Sequence, residues 1–194
     1  MGSKLWSGGW MILLAAAACT QPVKAPAGEG ENPVVEFRGI TVPAVLKDSL
    51  RGVMDGYKVL SDALAKEDTL LADAAARLMR QRLDSLPLYR SGLDSAHAGA
   101  LELNAGSISA ELTAMVLEDG GLEGRRQSFW MASELLYDLL QQTGPVNGVK
   151  YHYWCGEAFG GKGAFWLGDS AALANPYGGK ADCAEPRDTI GQWR

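Results

Sequence analysis

The chain has 194 residues, 47% of them hydrophobic, with 18 basic and 23 acidic side chains and a formal net charge of −5. That acidic balance argues against a nucleic-acid partner, which would want a basic face, and against adhesion to anionic lipid by surface charge. Beyond an N-terminal leader and a spacer, about 155 residues remain, enough for one domain with a real core and too few for two comfortable ones.

In chain order, residues 1–18 read as a secretion signal. One positive charge, Lys4, precedes the apolar run Trp10 to Ala18, which has signal-peptide length and is too short to span a bilayer. The run ends directly on a cysteine. Ala16-Ala17-Ala18-Cys19 resembles the bacterial lipobox, with Ala16 where leucine is usual, and so predicts lipidation of Cys19 as the first mature residue. Losing the signal removes Lys4 and no acid, leaving 17 basic against 23 acidic residues and a mature charge of −6. Cysteine parity agrees with acylation: with Cys19 lipidated, Cys155 and Cys183 remain as an even pair rather than leaving an orphan thiol in an oxidising compartment. Residues 19–39, rich in Pro, Gly, Ala and Glu, read as a flexible tether.

The domain is expected over residues 40–194, with four helices in 40–145 and a C-terminal extension in 146–194. Leu46, Leu50, Val53, Tyr57, Leu60 and Leu64 recur every three or four residues and predict a helix with one apolar seam, with Pro43 in its first turn. A second helix is expected from Asp68 as N-cap, carrying Leu71, Ala75 and Leu78 and stopping before Pro87. Leu101, Ala105, Ile108, Leu112 and Met115 keep the same rhythm across Gly106 and Ser107, consistent with one long helix or a restart near Ser107. After Gly120-Gly121, a fourth helix places Leu122, Phe129, Ala132, Leu136 and Leu139 on one face and closes at Gly144-Pro145. The fold class is therefore mostly α, an up-and-down four-helix bundle. Its glycine- and aromatic-rich extension should contain short β-strands, at Val149 to Cys155 and Ala164 to Leu167, followed by a loop-rich tail.

The C-terminal motifs occur in a familiar order: Tyr153-Trp154-Cys155-Gly156-Glu157-Ala158, then Gly163-Ala164-Phe165-Trp166-Leu167, then Asn175-Pro176-Tyr177-Gly178 and Cys183. This order resembles the bacterial family called domain of unknown function 3347. The Ala74-Ala75-Ala76 run, His97 after an alanine and the Arg126-x-x-Phe129 spacing extend the resemblance over about residues 45 to 190. It implies an extracytoplasmic helical bundle, occurring as a lipoprotein or attached to adaptor subunits of copper and silver efflux pumps, and through them a role in metal handling. Two departures bear on that role. The family's Cys-Pro-Met stands here as Cys155-Gly156-Glu157, and Ala181 stands two residues before Cys183, where the family's methionine is replaced. Both thioethers typical of an exported Cu(I) site are thus lost.

Cys155 and Cys183, with His152 three residues before the first, are candidate metal ligands; the alternative is a disulfide between the two cysteines. Neither a structural zinc site nor a thioredoxin-type pair fits, for want of a Cys-x-x-Cys. Residues 156–163 match a phosphate-binding loop at seven positions and fail at the eighth, where Gly163 replaces Ser or Thr; a tight turn is expected. His97 reads as a buried or helix-capping histidine, Arg125 and Arg126 as a solvated face or partners of acids on the first helix, and Trp166 and Tyr177 as packing for the tail. No nucleophile, base and orienting group stand at readable positions. The expectation is a non-catalytic binding or accessory lipoprotein, serving copper homeostasis by resemblance, or else a purely structural or interaction lipoprotein with a Cys155–Cys183 bridge and no metal. Its partners are the membrane, through the anchor, and an efflux or other envelope protein. Thr20, in place of a retention aspartate, favours the outer membrane, facing the periplasm.

Overall fold

The computed structural model describes residues 39–118, 120–146, 148, 150–169, 174–178 and 183–191. The expected signal, Cys19 and the tether as far as residue 38 lie outside them. The described chain is mostly helical, with a small antiparallel sheet near its C-terminus. Among the described residues, no helix is long and apolar enough to cross a membrane.

Four long helices run in sequence: α1 Ala44–Ala65, α2 Thr69–Asp84, α3 Ser95–Leu117 and α4 Gly121–Thr143. Each packs on the next, and α1 also touches α4. The α1 seam is buried as its spacing predicts, from Leu46 through Leu50, Val53, Tyr57 and Leu60 to Leu64. Pro43 stands at the N-cap, one residue before the first turn, where its carbonyl accepts from Leu46 and Lys47.

The expected α2 seam is buried at Ala75 but not at its two leucines. Leu71 and Leu78 are 43% and 45% exposed, while Ala72, Ala75, Ala76, Met79 and Leu83 are buried. Small residues let α1 and α2 approach closely, and a Cβ added at Gly56 would lie 3.2 Å from that of Met79. The helix does start at Asp68, whose carboxylate accepts from the Leu71 amide at 3.0 Å. Helix α3 is continuous through Gly106 and Ser107, because burial of Leu101, Ala105, Ile108, Leu112 and Met115 outweighs the low local propensity.

A sheet of order β2-β1-β3 follows, from β1 Lys150–Cys155, β2 Ala164–Gly168 and β3 Glu185–Ile190. The two expected strands form an antiparallel hairpin, with Cys155 opposite Ala164 and Tyr151 opposite Gly168; Val149 lies outside the described residues. Strand β3 occupies part of the expected loop-rich tail and pairs with β1 across a register shift at His152/Tyr153. Strand β2 rests on α4 and carries Trp166, which is fully buried. Removing about 200 Å² of indole surface from water contributes about 5 kcal/mol at the usual area coefficient. The cost of an indole N–H with no acceptor among the described residues offsets part of this.

One hydrogen-bonded relay joins sheet to helices. The Leu167 amide donates to the Tyr57 hydroxyl (2.9 Å), which lies 2.8 Å from Ser133 Oγ. Ser133 in turn donates to the Phe129 carbonyl at 2.7 Å. Since Ser133 spends its proton on that carbonyl, Tyr57 is the donor to Ser133. Burial pushes the Tyr57 phenol well above its ordinary range, against the lowering effect of these hydrogen bonds.

Candidate functional site: a bridged cysteine pair beneath an aromatic turn

Cys155 ends β1 and is buried; Cys183 is partly buried just before β3. The two sulfurs are bonded to each other, across 28 positions of sequence. In the chain-entropy picture, closing a loop of that length stabilises the fold by about 3.5 kcal/mol.

Asn175 organises the turn beside the bridge. Its Oδ1 accepts from the Tyr177 amide at 3.0 Å, while its Nδ2 donates to the Gly178 carbonyl at 2.6 Å and to Cys183 Sγ at 3.1 Å. Gly178 takes φ +76°, and a Cβ there would come within 2.9 Å of the Arg126 guanidinium. These contacts explain the turn expected from Asn175-Pro176-Tyr177-Gly178: the asparagine side chain satisfies the turn's polar groups, and glycine supplies the left-handed residue.

Arg126 reaches the same turn from α4. It is buried, donating through Nε to the Pro176 carbonyl at 2.9 Å and through Nη2 to the Leu64 carbonyl and Glu67, each at 3.3 Å. The arginine thus fastens the tail to the α1–α2 corner and is not on a solvated face. Its neighbour Arg125 pairs with Asp73 on α2, at 2.7 and 2.8 Å, and not with the first helix. That fork holds the Asp73 carboxyl below the usual range. Tyr177 and Trp166 pack as expected: the Tyr177 ring lies 5.8 Å from Trp166 and 5.9 Å from Phe129, and its hydroxyl donates to the Phe165 carbonyl.

The structure does not gather His152 with the cysteines. In a strand, residues three apart face opposite sides, and the β1–β2 register runs unbroken from Tyr151 to Cys155. His152 stacks between Tyr137 at 4.0 Å and Phe165 at 4.3 Å, with Nε2 3.4 Å from Glu134 Oε1. Here the sulfurs are joined to each other and the imidazole lies on the other face of the strand. Among the described residues, no group of three or more His, Cys, Asp or Glu side chains is placed to hold a metal ion.

His97, expected to be buried or to cap a helix, is instead exposed in the first turn of α3. Asp94 is the α3 N-cap, accepting from the Ala96 and His97 amides at 3.1 Å, and its second oxygen meets His97 Nδ1. Residues 156–163 form a tight turn: Phe159, Gly160, Gly161 and Gly163 all have positive φ. Phe159 is held there by Trp130 and Tyr177, with ring centroids 5.8 and 5.4 Å away. Ser133, the role of the Tyr57 hydroxyl and the anchoring role of Arg126 were not anticipated from the sequence. Only Tyr57 had a signal, as a hydroxyl in an otherwise apolar seam. No family model, curated protein or solved structure matches the chain.

Proposed function

We propose that this chain is an exported, lipid-anchored, non-catalytic binding or accessory module whose cysteine bridge is structural. One observation carries the reading: a buried cysteine and a partly buried one, far apart in sequence, are bonded and hydrogen-bonded into the fold. Disulfides of this kind persist in oxidising compartments, which accords with a signal over 1–18 and acylation of Cys19. The order of packing, α1 on α2 on α3 on α4 with α1 returning to α4, supports closure of the helices as an up-and-down four-helix bundle. Its envelope partner and outer-membrane position are part of the same proposal.

Copper handling, the role implied by the resemblance, requires Cys155 and Cys183 as free thiolates. The test uses the full chain purified in detergent without reductant: thiols are counted, then Cu(I) is titrated against a competing chelator, with Cys155→Ser in parallel. No free thiol and no cysteine-dependent competition support the structural bridge. Two free thiols, with tight Cu(I) binding that Cys155→Ser abolishes, overturn it in favour of metal handling.

A further inference from the structure

Lys150 opens β1 with its side chain only 7% exposed, yet among the described residues its sole ion pair is with Asp169, 3.8 Å away and half exposed. A buried ammonium held so loosely is costly unless something else completes its shell. Lys150 lines a cavity of about 80 Å³ between α1 and the far end of the β1–β2 hairpin. That is roughly five times the ~15 Å³ a single water requires, so a molecule of a few heavy atoms fits.

The opposite wall is α1, where Asp55, Lys58 and Asp62 share one face and Ser61 lies beside them. Lys58 pairs with Asp62 at 3.8 Å, whereas Asp55 has no ion pair among the described residues. Three carboxylates against two amines would repel a simple anion or a phosphate at Lys150. A compact ligand carrying both charges meets each wall with its complement.

We propose that this cavity binds a small zwitterion of the α-amino acid type, its carboxylate on Lys150 and its ammonium toward Asp55 and Asp62. Asp169 acts as a placeholder, swinging to solvent when the ligand carboxylate takes its position. Exchanging a long ion pair for a short charge-assisted hydrogen bond gives the ligand its hold. Access to solvent keeps affinity weak, with Kd on the order of 1 mM. Neither Cys155 nor Cys183 lines this cavity.

The full chain in detergent is titrated with glycine by NMR, following the amides of Ser61, Lys150 and Leu167, with acetate, methylammonium and trimethylglycine as separate arms. Glycine is expected to shift these amides saturably and to bind about tenfold better than either single-charge probe. Trimethylglycine, which lacks N–H donors, is expected to be weaker than glycine. Lys150→Met weakens binding about tenfold or more, and Asp169→Asn, which removes the competitor, strengthens it; the second variant keeps the test sound if the first fails to fold. Acetate binding as well as glycine, no saturable shift at ~50 mM, or tightness unchanged by Asp169→Asn would overturn the proposal.

Discussion

Tyr57→Phe deletes a single oxygen at the junction of three elements, and its cost follows from the relay it interrupts. The hydroxyl accepts from the Leu167 amide at 2.9 Å and donates to Ser133 Oγ at 2.8 Å, in a side chain 2% exposed. Phenylalanine preserves the ring stacking on Phe129, at 5.1 Å, so lost packing contributes little. What remains is a buried N–H without an acceptor, costing about 1–3 kcal/mol, and one lost hydroxyl pair of about 1 kcal/mol. The sum, about 2–4 kcal/mol, should appear in urea unfolding as a lower midpoint at unchanged slope, and as a Tm lowered by roughly 6–12 °C for a domain of this size. Ser133→Ala on its own should cost less, and the double variant should show coupling of about 1 kcal/mol. A loss below about 0.5 kcal/mol for Tyr57→Phe would refute the claim that this hydroxyl pins the sheet to the helices.

Gly163 takes φ +79°, and a Cβ there would fall 1.9 Å from the Trp154 ring; Gly163→Ala is therefore expected to cost about 3 kcal/mol or more and to perturb the tryptophan near-UV signal. Asp73 has its carboxyl held down chiefly by the Arg125 fork; its contribution is present above the unfolded pKa and lost as pH falls through the lower folded value. Asp73→Asn should thus cost about 1–2 kcal/mol at pH 7, and the gap to the native protein should narrow in acid-unfolding curves as pH falls below the unfolded carboxyl value of about 3.9. Burial, with the hydrogen bond to Asp188 second, pushes the Tyr137 phenol up to about 12; its stabilising effect is complete below the unfolded value of about 10 and lost as pH rises toward the folded one. Tyr137→Phe should accordingly lose less stability than the native chain between about pH 10 and pH 12 in alkaline titrations.

Much of the helical layer was legible because α1, α3 and α4 write their buried faces in large side chains at regular spacing. Helix α2 misleads for a physical reason: its buried stripe is Ala72, Ala75, Ala76 and Met79, while its more conspicuous leucines, Leu71 and Leu78, face outward. Strand β3 was not legible, since Glu185-Pro186-Arg187-Asp188-Thr189-Ile190 has little apolar alternation and stands at a sheet edge, where pairing through the backbone tolerates charge and proline.

The site divides in the same way. Compartment and cysteine parity left the bridge open as one of two alternatives, and the structure shows it formed. The separation of His152 from Cys155 follows from their spacing once a strand is granted, because a period of two puts residues three apart on opposite faces. Arg126 had no comparable signal. Its burial comes from Pro176, 50 positions away, and a contact at that distance leaves no local pattern.

The most direct measurement is peptide mapping by mass spectrometry of the full chain isolated from bacterial envelopes under non-reducing conditions, with thiols blocked at lysis. The account predicts one cross-linked peptide pair joining Cys155 to Cys183, and a lipid-modified N-terminal peptide beginning at Cys19. Recovery of Cys155 and Cys183 as separately blocked thiols, or of an unprocessed, unlipidated N-terminus, would contradict it.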